Sequence, residues 1–300
     1  MIRSPAARAK RLVAVLVLVA IVVGTLIAMN RGSAAARQRA AVESLRAAGA
    51  QLVFAEPARR HTSWWGAISG DDVRLSQCPV RVDLSHQPID DGALSSLADL
   101  PGVTDVDLSD TDVTDAALQR LDRLDRLRTL NLSRTGVGAV GITGLRRLNK
   151  IEYLYLEDSA VDDAAMAVIG DWQALKHLDL AGTHVTDAGL RRLAQLGELR
   201  YLDLSRTVVG DDGLAVVASL AQLRRLDLAD TAISPAAAAH LARSPRLISL
   251  DLSGTGVTDP ALSELCQLVK LERLAVARTQ LSDAALAEFR NLAPNVVVAK

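Results

Sequence analysis

An α/β solenoid, with one short strand and one helix in each coil and a membrane-spanning helix ahead of it, is the fold class this sequence predicts. Three observations predict it. From Pro79 the chain repeats every 24 residues, nine times in phase, without insertion or deletion. Inside each repeat the apolar residues first alternate and then recur every third position. And Leu12 to Met29 is 18 residues without a charge.

Bulk numbers narrow the function classes. The 300 residues carry 34 basic and 35 acidic side chains, net −1, which excludes a sequence-wide electrostatic grip on nucleic acid. Aromatics make up only 3%, so the core rests on many small aliphatic contacts. The two cysteines, Cys78 and Cys266, have no CxxC spacing and suggest neither a zinc site nor a redox motif.

Residues 1–11 form a basic tail with Arg3, Arg8, Lys10 and Arg11. The span 12–29 follows, about 27 Å long as a helix and close to the thickness of a bilayer core. It is longer than the usual apolar stretch of a signal peptide, which favours an uncleaved anchor. Cleavage near Ser33-Ala34-Ala35-Ala36, giving a secreted protein, is the alternative. Slightly more positive charge on the amino side favours a cytoplasmic amino end and a single-pass protein with its bulk outside the cytoplasm.

Residues 30–78 read as a juxtamembrane helix and cap. Ala41, Val42, Leu45 and Ala48 share one helix face, Arg39 and Glu43 stand four apart on the other, and Gly49 stops the helix. Gln51 to Phe54 then reads as a short strand, and Trp64 and Trp65 lie in an irregular stretch suited to covering apolar surface.

The repeats begin at Pro79, Val103, Leu127, Ile151, Leu175, Leu199, Leu223, Leu247 and Leu271 and end at residue 294. Positions 1, 4, 6, 11, 16, 19 and 22 should face inward. Of these 63 sites, seven in each of nine coils, 61 are apolar, with Pro79 and Ser244 the exceptions. Leu178-Asp-Leu180 shows the alternation of a half-buried strand. Positions 16, 19 and 22 suit a helix packed on it, with Asp115, Asp163, Asp187, Asp211, Asp259 and Asp283 in the first turn, where the helix dipole favours negative charge. Ser234 before Pro235 reads as an N-cap followed by an N1 proline. Such coils cannot bury their apolar faces alone, so they must stack. At about 4.8 Å per strand, Cys78 and Cys266 lie some 35–40 Å apart and cannot meet. Residues 295–300 supply one more strand start, an apolar edge at Val296 to Val298.

The LxxLxLxx pattern, followed by a polar ninth position and an apolar eleventh, resembles the leucine-rich-repeat family over residues 79–294. The layout looks like its bacterial members. The resemblance implies a right-handed solenoid with parallel strands on a concave face and helices on a convex one. It also implies a recognition scaffold that binds a protein or peptide on the concave face, without catalysis or cofactor. The family's usual ninth-position Asn is here Thr or Ser in eight repeats and Gln87 in the first, so the chemistry of that ladder differs.

Positions 3, 5 and 7 point away from the core. Position 5 is an acidic row that includes Asp179, Asp203 and Asp227. It is either ordinary solvated surface or a site for a basic ligand. No spacing resembles a calcium loop, and no other metal site is indicated. All three tyrosines, Tyr153, Tyr155 and Tyr201, fall on this face with His177 between them, and Arg206 and Arg225 flank them. Large rigid rings with polar tips anchor interfaces, which marks this patch as the partner-binding surface. No nucleophile–base set, HExxH, Walker loop or GxSxG is present. A structural spacer or self-association module of the envelope is the alternative to recognition.

Overall fold

The computed structural model describes residues 33–55, 79–89 and 91–300. The expected span Leu12–Met29, the Trp64–Trp65 stretch and Cys78 lie outside them. Among the described residues no helix is long and apolar enough to cross a membrane.

Among the described residues eleven strands form one sheet in strict chain order. They are β1 Gln51–Phe54, β2 Pro79–Asp83, β3 Asp105–Asp107, β4 Thr129–Asn131, β5 Tyr153–Tyr155, β6 His177–Asp179, β7 Tyr201–Asp203, β8 Arg225–Asp227, β9 Ser249–Asp251, β10 Arg273–Ala275 and β11 Val297–Ala299. From β2 to β11 every pairing is parallel and in register, so equivalent repeat positions stand side by side. Only β1 runs antiparallel, against β2. The helix of residues 33–47 leads into it and buries Ala41, Val42 and Leu45 against the first coil. The expected Arg39–Glu43 pair does not form; Arg37 instead reaches Asp99 at 3.6 Å.

The inward positions make one continuous core. Every one of the 63 sites is buried except Leu292, which is 64% exposed at the end of the last helix. Trp172 occupies the helix-side position 22 and is buried with the leucines. Ser244, at the same position three coils later, is also buried, and neither its hydroxyl nor the Trp172 indole N–H finds a partner among the described residues.

The elements that follow each strand are shorter and tighter than the expected helices. Repeat one has a 3₁₀ segment, Ala93–Asp99; repeats two and five pass from an α turn into 3₁₀ at Leu121–Arg123 and Arg191–Gln195. Apolar spacing of three is the 3₁₀ period, and its 2.0 Å rise covers the width of the coil with fewer residues than an α-helix needs. Only the last element, Asp283–Leu292, reaches ten residues.

Two polar ladders lock the coils. Ninth-position hydroxyls of Thr111, Thr135, Ser159, Thr183, Thr207, Thr231, Thr255 and Thr279 each donate to the carbonyl three residues back, holding the turn within its own coil. Between coils, the helix-start aspartates do more than meet a dipole. Asp163 accepts from the Thr186 N–H at 2.8 Å and its hydroxyl at 2.6 Å, and Asp211 does the same for Ser234. Asp115, Asp187 and Asp259 accept equivalent N–H bonds from the next coil. Asp163 itself precedes its helix, Met166–Ile169. Ser234 accepts from the Ala236 N–H, as an N-cap does, although regular helix begins at Ala237.

Candidate functional site

Each strand from β3 to β10 is three residues long with its middle residue buried. Pleat alternation therefore puts positions 3 and 5 on the open face of the sheet. In-register pairing sets Tyr153 beside His177 and His177 beside Tyr201, and sets Tyr155, Asp179, Asp203 and Asp227 in a second row.

The rings meet. His177 stacks flat on Tyr201, with centroids 4.0 Å apart and planes within 3°. Tyr155 lies 4.6 Å from His177 on its other side, and Tyr153 lies 6.2 Å away. Tyr153, 39% exposed, is the most accessible ring of the four. Burial against these rings pushes the His177 imidazole down to about 4, with the Arg225 charge adding to the effect and Asp203 opposing it. The ring is therefore neutral at ordinary pH. Tyr201 donates its hydroxyl to Asp203 Oδ2 at 3.1 Å, and burial and that carboxylate hold its phenol well above the usual range.

The acidic row is part of the scaffold. One oxygen of each carboxylate accepts the N–H two residues on: Asp179 from Ala181 at 3.0 Å, Asp203 from Ser205 at 2.9 Å and Asp227 from Ala229 at 2.9 Å. These short loops turn the chain out of each strand. Burial pushes Asp179 and Asp227 each up to about 6, and the neighbouring aspartates add to the shift. Asp203 is buried between them.

Of the expected flanking arginines, Arg225 extends the tyrosine row, directly beside Tyr201. Arg206 does not join that row. It sits at position 8, where its guanidinium bonds Glu157 at 2.9 Å and reaches Asp158 at 3.5 Å on the rim.

Position 8 holds a feature that the sequence reading missed. It reads His86, Asp110, Arg134, Asp158, Gly182, Arg206, Asp230, Gly254 and Arg278, with φ between +50° and +70° at all nine. That conformation ends each strand while keeping the N–H bonded to the next coil, as in Arg206 to the Ala229 carbonyl at 2.8 Å. Alternating charge ties the row together: Arg134 to Asp110 at 2.7 Å and to Glu157 at 3.1 Å, and His86 to Asp110 at 3.2 Å. At Gly182 and Gly254 a pair spans two coils, and an added Cβ would sit 2.0 Å from the Asp158 or Asp230 oxygen. The alternation of sign at 24-residue spacing was the available signal.

Known proteins agree with this architecture. A family model described as Leucine Rich repeat matches residues 173–194, 199–218 and 244–266. No curated protein matches the sequence. Among solved structures the chain is similar to internalin C2 of Listeria monocytogenes, at 22% identity over 70% of this chain and 83% of that one, with TM-score 0.54. Similarity also extends to an internalin, InlF, of the same organism, at 15% identity over 74% and 86% of the two chains and TM-score 0.36. The plant peptide hormone receptor RGFR1, in complex with RGF2, matches at 15% identity over 67% of this chain and 36% of that one, with TM-score 0.46. The family model matches three of the nine in-phase coils and the aliphatic interior runs through all nine, which supports a leucine-rich-repeat family for residues 79–294.

Proposed function

We propose that this protein is a recognition scaffold that docks a protein or peptide on the concave face of its sheet, centred on Tyr153, Tyr155, His177 and Tyr201. One observation carries the reading. These four rings touch on a face whose other coils present only Arg, Asp, Asn, Ser, Thr or Ala at the same positions. Rigid aromatics with polar tips contribute large contact area at little entropic cost. The neutral His177 and the tyrosine hydroxyls make the patch amphipathic, and Asp203 fixes the Tyr201 ring. Arg225, Asp179, Asp203 and Asp227 surround it and set charge preference, and Arg206 forms its rim.

Membrane attachment belongs to the same proposal. Leu12 to Met29, with basic residues on both sides, supports a single-pass anchor holding the domain outside the cytoplasm. The test compares the intact anchored chain with its Tyr153→Ala/His177→Ala/Tyr201→Ala variant in capturing partners from an envelope extract. Loss of the captured partner in the variant is the expected result; identical capture by both rejects the site.

Self-association is the second reading. Strand β11 pairs on one side only among the described residues, and its Val297 is 69% exposed. An open apolar edge invites another strand. A strict monomer in light scattering of residues 33–300 rules it out.

A further inference from the structure

We infer that the hollow beside Tyr201 is a subsite for a dipolar segment of the partner, one acidic and one basic side chain presented together. This rests on the concave-face reading and refines it. Arg225, Ser249 and Arg273, with Val297 next in register, line the amino-terminal side of the hollow. Serine is the small member between two exposed arginines, which opens a recess of about 250 Å³. That volume suits one or two side chains and is too small for a cofactor. Among the described residues neither arginine makes an ion pair, unlike Arg134, Arg206 and Arg278 on the rim.

The opposite side carries Asp227 and Asp251. Each commits one oxygen to a backbone N–H, at 2.9 and 2.8 Å, which draws it toward the carboxyl end of its strand. Their second oxygens accept no bond among the described residues. Two positive and two negative groups thus stand in parallel rows, two residues and about 6.6 Å apart along the strands. A ligand of one charge sign meets a like charge in the same recess. A segment with opposite charges at residues i and i+2 of an extended stretch has the same spacing and satisfies both rows. Charges left without an ion pair among the described residues, exposed arginines facing half-buried aspartates, give such a contact its selectivity. Tyr201 forms the wall shared with the aromatic patch.

The test uses a phage-displayed library of random peptides selected on the full chain at neutral pH. Enriched peptides are expected to pair Asp or Glu with Lys or Arg two positions apart. Arg225→Gln/Arg273→Gln should weaken a selected peptide about tenfold or more, as should Asp227→Asn/Asp251→Asn. These replacements keep the fold, because the arginines are exposed and Asn131 already fills the aspartate position in repeat three. Circular dichroism checks this. Selected peptides that lose binding with Tyr153→Ala/His177→Ala but not with either charge variant overturn the subsite and leave the aromatic patch standing. Peptides indifferent to all of these variants overturn both. Enrichment of a single charge sign overturns the dipolar assignment.

Discussion

His177 shows how much a neighbouring coil can change one side chain. Sequence placed it on the open face with three tyrosines, and that much followed from period and pleat. What sequence did not carry was the flat stack on Tyr201, because ring orientation depends on side-chain torsions and not on register. The stack and its burial depress the imidazole to about 4, so an NMR titration should find its midpoint about two units below the ordinary 6.5. Depression means that its contribution to stability is present above the unfolded value and lost as pH falls through about 4. Asp179 runs the other way. Its native value is raised from 3.8 to about 6, so its contribution is full below about 4 and lost as pH rises through 6. Asp179→Asn keeps an acceptor for the Ala181 N–H and removes that loss. Its thermal midpoint should exceed the parent's at pH 7.5 and match it at pH 4. An equal effect at both pH values would mean that Asp179 is not desolvated.

At the scale of one coil, the sequence declared the apolar interior almost completely and the polar joints only in part. Alternation at positions 4 and 6 and spacing by three at 16, 19 and 22 each have one stacked solution, hence the near-complete burial of the inward set. Leu292 departs from it at the end of the last helix, while Leu286 and Phe289 of the same helix stay buried. The aspartates were legible as helix starters but not as pins, since their acceptor role depends on the following coil lying 24 residues on and one strand away. The same holds for position 8, where left-handed backbone and ion pairs share one residue. Left-handed φ costs a non-glycine residue roughly 1–2 kcal/mol. At Gly182 the Asp158 carboxylate also occupies the space a Cβ would take. Gly182→Ala should therefore lower stability by about 1–2 kcal/mol in urea unfolding. Gly197→Ala, with nothing within 4 Å of its added Cβ and no left-handed φ, serves as the near-neutral control. Equal losses at both sites would contradict the role assigned to position 8.

Across the whole molecule, stacking turns a sparse sequence signal into a surface. Four aromatic rings spread over 49 residues of chain become neighbours because each 24-residue step returns the strand to the same place one spacing along. The ends differ in kind: β1 runs antiparallel to β2 at one end, while β11 continues the parallel order at the other. Both the recognition and the self-association readings draw on this layout, but they place the contact on different surfaces. Hydrogen–deuterium exchange of the full chain, alone and with a peptide selected on it, separates them most directly. Peptide-dependent protection is expected through the charged hollow at residues 225–227, 249–251 and 273–275 and, centred on the aromatic patch, over residues 153–157, 177–181 and 201–205. Protection confined to the convex-side helices or to residues 295–300, with those strands unchanged, would contradict the concave face as the binding surface.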